Sequence, residues 1–218
     1  MTLEGCIFDL DGVIVDTAKY HFLAWKRLAD ELGVPFTKAE NEKLKGVSRM
    51  RSLEIILESG GIKASEEEKQ QLATRKNEWF VEYLDNMTPD EIFPGVIKFI
   101  EELKSKKIKI ALGSASKNAM RALTNIQLVD RFEIVVDGTM VSKAKPDPEV
   151  FLEAARGLGL DPENCLVFED AIAGVRAAHN GGMKCVGVGD PSILKEAEIV
   201  IKGFENLTWD IIIKKLFT

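Results

Sequence analysis

Short, nearly continuous apolar runs recur along the chain and run into polar or acidic residues at their ends: Gly5–Leu10 before Asp11-Gly12, Ile108–Ser114, Glu133–Gly138, Cys165–Asp170 and Lys184–Gly189. A shorter run, Ile199–Ile201, follows them. Apolar runs of this length without strict alternation fit strands covered on both faces, as in a parallel sheet. Helical periods lie between them. Val96, Ile97, Ile100 and Leu103 recur after Pro94-Gly95. Phe151, Ala154, Ala155 and Leu158 recur after Asp147-Pro148, a pair that reads as an N-cap and a first-turn proline. Ala171–Asn180 and Leu207–Leu216 are two more helices by the same period. Strands alternating with helices predict an α/β fold, a doubly wound parallel (Rossmann-like) sheet.

The stretch from Thr17 to about Met87 breaks the alternation. It holds no convincing strand and reads as helices over Ala18–Leu32, Lys38–Leu44, Arg49–Glu58 and Glu66–Asn86. That exceeds what one crossover helix requires. It predicts a helical domain, 16–87, inserted above the carboxyl edge of the sheet of a core built from 1–15 and 88–218.

Composition limits the function. The 218 residues are 45% hydrophobic and 29% charged, the balance of a water-soluble globular chain. No apolar run approaches the roughly 18–20 residues a membrane span needs, and MTLEGCIFDL does not read as a signal peptide. The net charge of −6 argues against nucleic acid as a partner, although an anionic small substrate met by local cations or a metal is compatible with it. Cys6, Cys165 and Cys185 lie far apart in apolar runs and read as reduced core residues, which points to the cytoplasm.

Ligands of open α/β sheets bind beyond the carboxyl ends of the strands. Those ends carry Asp9, Asp11 and Gly12 after the first strand, Ser114, Ala115 and Ser116 after the second, Lys145 in the loop after the third, and Glu169 and Asp170 after the fourth. Carboxylates this crowded need a counter-charge, and an all-oxygen set suits Mg²⁺. Lys145 and the metal would offset an incoming phosphoryl group. Ser114 and backbone N–H groups near Ser116, read as a helix N-terminus, would bind its oxygens. Asp9 is placed to attack phosphorus and Asp11, two residues on, to act as general acid and base. Each piece has a plainer reading: a turn at Asp11-Gly12, an N-cap at Ser116, a solvated Lys145, helix caps at Glu169-Asp170. Turn chemistry alone does not explain all of them at successive strand ends.

These segments (FDLDGV, GSAS, KAKPDP and FEDAIAG) resemble, in order and spacing, the four motifs of the haloacid dehalogenase-like superfamily, and the likeness covers the whole chain. The resemblance implies Asp9 as nucleophile, Asp11 as acid/base, and Ser114 and Lys145 as phosphate ligands. It implies Mg²⁺ on Asp9, the Asp11 carbonyl and Asp170, with Glu169 a further ligand in some members. It also implies a cis Lys145-Pro146 bond and a helical cap after the first motif.

DTAKYHFLAWKRLADELG, LKGVSR, TRKNEW and SASKN narrow the likeness to the hexose-phosphate mutase branch of that superfamily. That branch interconverts β-D-glucose 1-phosphate and glucose 6-phosphate through β-glucose 1,6-bisphosphate, its intermediate and activator. By that likeness His21 and Lys76 help close the cap. Lys45, Gly46, Val47, Ser48 and Arg49 form a specificity loop. Arg49, Ser116 and Asn118 hold the phosphate that is not transferred, and Thr17 sits at a hinge. Trp25 and Ser52 are placed with these as substrate-contacting positions. Thr17, His21 and Trp25 at i, i+4, i+8 do share one helix stripe, and an arginine can fork two hydrogen bonds to a phosphate. His21 and Lys76 also have plainer readings, as a packed ring and an exposed charge. The segment SRMRSLE departs from the acidic residues the branch leads one to expect. Met50 and Arg51 therefore line the helix exterior only, or also shift the sugar preference or the cap's rest position.

The expected partner is a small phosphorylated sugar met by a monomer, with no membrane. A sugar-phosphate phosphatase on the same scaffold and a non-catalytic phosphosugar binder are the alternatives. GVGDPS reads as a turn rather than a dinucleotide loop, lacking a third glycine in register.

Overall fold

The computed structural model describes residues 3–44 and 48–217. Six strands form one sheet: β1 (Gly5–Phe8), β2 (Lys109–Gly113), β3 (Ile134–Val136), β4 (Cys165–Glu169), β5 (Lys184–Val188) and β6 (Ile199–Ile201). Their spatial order is β3-β2-β1-β4-β5-β6, and every pairing is parallel. This is the doubly wound sheet that the runs predict, with β6 as long as its run and the other strands one to three residues shorter than theirs. The central strand β1 pairs Phe8 with Leu112 on one side and Phe168 on the other. The carboxyl ends of β2, β1 and β4 are therefore neighbours, and that register positions the site.

The pleat sends alternate residues to opposite faces. On one face Phe8 stacks on Phe168 with ring centroids 4.7 Å apart, and Phe99 and Phe204 pack against the pair. On the other, Ile7, Ala111 and Val167 join Phe151, Ala154 and Val175 in one buried cluster. Each fully buried Phe, Ile or Val among them stabilises the fold by about 1.5–3 kcal/mol. Helices α5 (Val96–Ser105), α6 (Ala119–Asn125), α7 (Glu149–Leu158), α8 (Ile172–Asn180) and α9 (Trp209–Phe217) accompany this sheet. The N-cap of α7 is Pro148 rather than Asp147. Asp147 Oδ1 still accepts from Glu149 N at 3.1 Å, so the aspartate works as a cap one residue further out.

Between β1 and α5 lie α1 (Ala18–Glu31), α2 (Lys38–Glu42), α3 (Arg49–Ser59) and α4 (Glu66–Asp85). A capping box starts α4: Ser65 Oγ accepts from Glu68 N at 3.2 Å and Ser65 N donates to Glu68 Oε2 at 2.7 Å. Its stripe of Ala73, Lys76, Phe80 and Leu84 is buried, and α4 packs on α1 and α3. The chain divides into two compact units, Met1–Asp16 with Met87–Thr218, and Thr17–Asn86. Among the described residues no helix is long and apolar enough to cross a membrane.

Candidate active site

The chain turns sharply as it leaves β1. Asp9 N donates to Phe168 O at 3.0 Å, the last bond of the ladder, and Ile14 N and Val15 N then close on Leu10 O at 2.9 and 3.2 Å. Gly12 sits inside this turn with φ +77°. A Cβ there would stand 2.0 Å from Asp170 Oδ2, so only glycine allows the two acidic loops to approach. The turn folds Asp11 back, and its N–H donates to Asp9 Oδ2 at 3.0 Å.

Lys145 joins the two loops. Its Nζ donates to Asp9 Oδ1 at 2.6 Å and to Glu169 Oε1 at 2.7 Å. All three side chains are nearly buried, at 10%, 8% and 2% exposure respectively. Glu169 is held from behind as well, since Oε2 accepts from Ala171 N at 2.8 Å. The Lys145-Pro146 peptide is cis.

Glycine also shapes the Glu169 side. A Cβ on Gly174 would lie 1.7 Å from Glu169 Oε1, the atom that holds Lys145. Glu169 is pinned at both oxygens and cannot swing aside. Gly174→Ala is therefore expected to displace it, at a cost of about 1–3 kcal/mol, the usual range for overpacking. Thermal unfolding and turnover measured together check this. An unchanged midpoint with unchanged turnover would mean that the crowding is relieved elsewhere.

Asp9, Glu169 and Asp170 each bring an oxygen within 4.8 Å of the others. One ammonium faces these three carboxylates, and the imbalance is visible in their acidities. Burial, then the Glu169 and Asp11 charges, lift Asp9 to about 7 against the opposing pull of Lys145. Desolvation and the charges of Glu169 and Asp9 lift Asp170 to about 8. Burial alone would lower Lys145, but Asp9 and Glu169 reverse this and hold its pKa above the ordinary lysine value. An all-oxygen, over-negative cluster at the mouth of a sheet fits a hard divalent cation such as Mg²⁺. Mg²⁺ is accordingly expected to raise the thermal midpoint. A ligand at about 100 times its Kd stabilises by about 2.7 kcal/mol, roughly 5–10 °C in a chain of this size. EDTA should reverse the shift, and Asp170→Asn should remove most of it. A midpoint indifferent to Mg²⁺ in calorimetry would reject the assignment.

Ser114 lies beyond β2, 1% exposed, and its N–H donates to Val136 O at 3.0 Å. Its Oγ accepts from Ser116 N at 3.2 Å, and Ser116 Oγ accepts from Asn118 N at 3.3 Å. The loop also carries Ala115, whose carbonyl oxygen would be 2.2 Å from a Cβ on Gly138. The expectation of a helix N-terminus at Ser116 is corrected, because α6 begins at Ala119 with Asn118 in the cap position. The run of small polar side chains satisfies the loop amides locally and delays the helix.

The helical unit brings its own predicted residues together. Thr17 is the N-cap residue of α1, and its carbonyl accepts from Tyr20 N and His21 N at 3.0 and 3.1 Å. Lys76 Nζ lies 2.9 Å from His21 Nδ1, 4.6 Å from the centre of the Trp25 ring and 4.8 Å from that of Phe80. Burial, then the charges of Lys76 and Arg49, keep His21 well below the usual histidine pKa, so its neutral ring accepts at Nδ1. Lys76 is lowered to about 7 by burial and by Arg49. Desolvation lowers Arg49 too. The plain reading of His21 as a packed ring holds as far as its stacking on Phe80 goes, while Lys76, 2% exposed, is not the exposed charge of its plain reading. Ser48 caps α3, its Oγ accepting from Arg51 N at 3.3 Å, and Ser52 is buried on that helix. Lys45, Gly46 and Val47 lie outside the described residues. Arg51 Nη1 bonds Glu54 and Glu58 at 3.1 and 2.8 Å along α3, which is the exterior role of its two expected ones.

Several contributors lack a local signal. Phe80 stacks on His21 with centroids 3.9 Å apart, and only its i+4 spacing from Lys76 hints at this. Asp137, 8% exposed after β3, accepts from Thr139 N at 2.8 Å and serves its own loop. In GVGDPS, Asp190 Oδ1 accepts from Ser192 N at 2.7 Å, a turn as expected.

Comparison with known proteins agrees with this geometry. The haloacid dehalogenase-like hydrolase family model matches residues 6–188. The chain is 43% identical to the β-phosphoglucomutase of Bacillus subtilis (strain 168) over 96% of its own length and 94% of that protein. It is 36% identical to a phosphorylated carbohydrates phosphatase of Thermotoga maritima over 84% of its length and 83% of that protein. The crystal structure of β-phosphoglucomutase from Clostridium difficile superposes with a TM-score of 0.90 at 43% identity, covering 99% of this chain and 97% of that one. With the acidic turn after β1, the lysine between Asp9 and Glu169, and a family match that spans most of its length, this chain belongs to the haloacid dehalogenase-like hydrolases.

Proposed function

We propose that the chain interconverts β-D-glucose 1-phosphate and glucose 6-phosphate through a phosphoryl group carried on Asp9, with β-glucose 1,6-bisphosphate as intermediate and activator. The near-full-length likeness to β-phosphoglucomutases carries this reading. In the proposed cycle Asp9 attacks phosphorus, the bond from phosphorus to the sugar oxygen breaks, and Asp11 gives that oxygen a proton. Asp11 then takes a proton from the next sugar hydroxyl as it attacks phospho-Asp9. Ser114 and Lys145 hold the oxygens of the moving phosphoryl group, so catalysis is positioning and charge stabilisation. Mg²⁺, held by Asp9, the Asp11 carbonyl, Glu169 and Asp170, would supply further neutralisation of charge. A bisphosphate also has a phosphate that stays put. Two cations of the helical unit suit it, the buried Lys76 and the exposed Arg49.

The Thermotoga relative favours a second reading, a sugar-phosphate phosphatase, in which water takes the phosphoryl group from Asp9. The chemistry differs only in what attacks. β-Glucose 1-phosphate, Mg²⁺ and a trace of bisphosphate should give glucose 6-phosphate, after a lag when the bisphosphate is omitted. Inorganic phosphate as the main product would establish the phosphatase instead. The same proposal places the enzyme in the cytoplasm, in keeping with three buried free cysteines. A monomer suffices, since Asp9, Lys145 and Glu169 come from one chain.

A further inference from the structure

Lys145 is useful only where its ammonium meets both Asp9 and Glu169, yet it stands in the loop between β3 and α7. Its backbone has no sheet partner there. The loop is tied instead by one carboxylate outside the motifs read from the sequence. Glu149, the first residue of α7, reaches back over the loop. Its Oε2 accepts from Ser142 N at 2.9 Å and Lys143 N at 2.7 Å, and Ser142 Oγ donates to the carboxylate at 3.1 Å. Those amides and Glu149 close a ring of backbone, and Lys145 sits within that ring.

Other ties run within this ring, from Asp147 N to Ala144 O at 3.0 Å and from Glu149 N to Asp147 Oδ1 at 3.1 Å, or come from beyond it. Asn180 Nδ2 donates to Pro146 O at 2.9 Å, and Lys143 Nζ pairs with Asp147 Oδ2 at 3.3 Å on an exposed edge. Hydrogen bonds from backbone N–H groups to a carboxylate are charge-assisted and among the stronger ones. The loop bonds hold Glu149 below the ordinary glutamate pKa, the Lys143 N–H first among them, so it stays ionised at neutral pH.

We propose that Glu149 is a positioning residue for Lys145: by clamping the amides of Ser142 and Lys143 it fixes the loop so that the lysine ammonium meets Asp9 and Glu169 together. This rests on the phosphoryl-transfer role proposed for Lys145, and it adds a residue that touches neither substrate nor metal. Reactive groups displaced by about 1 Å can lose about 100-fold in rate. The effect should therefore fall on kcat rather than on sugar binding.

The chemistry of the clamp supplies its control. Two backbone amides converge on one oxygen, and the carbonyl of a glutamine can take that place while its NH₂ meets the Ser142 hydroxyl. Glu149→Gln should keep the clamp, and Glu149→Ala should lose it. Glu153→Ala, on the same helix and paired with Arg156, serves as a surface control.

Two readouts test the proposal. The first is steady-state turnover of β-glucose 1-phosphate. Glu149→Ala is expected to lower kcat about 30-fold or more with KM within threefold, while Glu149→Gln and Glu153→Ala stay within threefold in both. The second is the ¹H–¹⁵N signal of the Lys145 ammonium, which its two carboxylate partners shelter from exchange. It should be sharp in the parent and in Glu149→Gln and be lost or broadened in Glu149→Ala, with circular dichroism showing the fold intact. The signal does not depend on activity, so it decides the positioning role even if the parent proves to be a phosphatase. An unaltered ammonium signal in Glu149→Ala, or a Glu149→Gln variant as impaired as the alanine one, would overturn the proposal.

Discussion

Asp9→Asn is expected to abolish turnover, by about 10⁴-fold or more, while leaving the fold intact. Loss of a covalent nucleophile typically costs this much or more. Asparagine matches aspartate in shape, so the Asp11 N–H keeps an acceptor, but a neutral amide is a poor nucleophile toward phosphorus and a poor ligand for a hard cation. The cluster would shed one of its crowded charges, and against this the amide NH₂ would face the Lys145 ammonium, which meets Asp9 Oδ1 at 2.6 Å.

The pH dependence follows from the sign of the Asp9 shift. Its pKa in the metal-free fold, about 7, lies above the ordinary 3.8, with burial the main cause. Below 3.8 the folded and unfolded chains are both protonated there. Between 3.8 and 7 the folded chain binds more protons, so stability at this group falls as pH rises through that window. Mg²⁺ should counter the loss in the parent. The Asp9→Asn variant should show neither the slope nor most of the Mg²⁺ shift. Thermal melts from pH 4 to 8, with and without the metal, measure both. Substantial turnover in that variant would mean that Asp9 does not carry the phosphoryl group.

The second large effect concerns Lys76. Replacing it by methionine should stabilise the protein and slow it. The lysine is 2% exposed and meets an imidazole nitrogen and two aromatic rings rather than a carboxylate. Burial, with Arg49 adding to it, lowers its pKa from 10.5 to about 7. The unfolded chain holds this proton up to about 10.5 and the folded chain releases it near 7. Stability is therefore lowest below pH 7 and rises as pH climbs from 7 to 10.5. A shift of that size corresponds to about 3–5 kcal/mol at most, at about 1.4 kcal/mol per unit. Relaxation around the charge reduces what a mutation recovers.

Methionine has nearly the length and shape of the lysine stem and suits an aromatic nest. A gain of about 2 kcal/mol at pH 6, roughly 4–8 °C, is expected, shrinking toward pH 10. Such a cost is retained for function where a site needs a strained charge. With Arg49 as the other cation proposed for the stationary phosphate, turnover should fall about 10- to 100-fold, mostly through KM. A methionine variant that melts lower than the parent at every pH would mean that the lysine is a structural cation after all.

Local chemistry made much of the molecule legible. Strand runs read as strands because parallel strands are apolar on both faces, so Cys6–Leu10 or Cys165–Phe168 cannot be anything exposed. The acidic residues read as a site because they stand where such runs end. The helical unit was legible from its lack of strands and from the helical stretches that fill it. Boundaries moved by a residue or two where side chains competed for backbone groups, as in the Ser114–Asn118 loop that delays α6.

The sequence by itself determined which residues stand at the strand ends and in what order: Asp9 and Asp11, Ser114, Lys145, Glu169 and Asp170. Tertiary structure alone decided what those residues touch. The Lys145 bridge spans 136 positions to Asp9 and 24 to Glu169, and Lys76 reaches His21 across 55. The glycine clearances at Gly12 and Gly174 and the Glu149 clamp are likewise set by chain segments crossing. Propensity and period are properties of neighbours along the chain. Hydrogen bonds, burial and the acidities they shift belong to neighbours in space, which exist only once the sheet has brought the loops together.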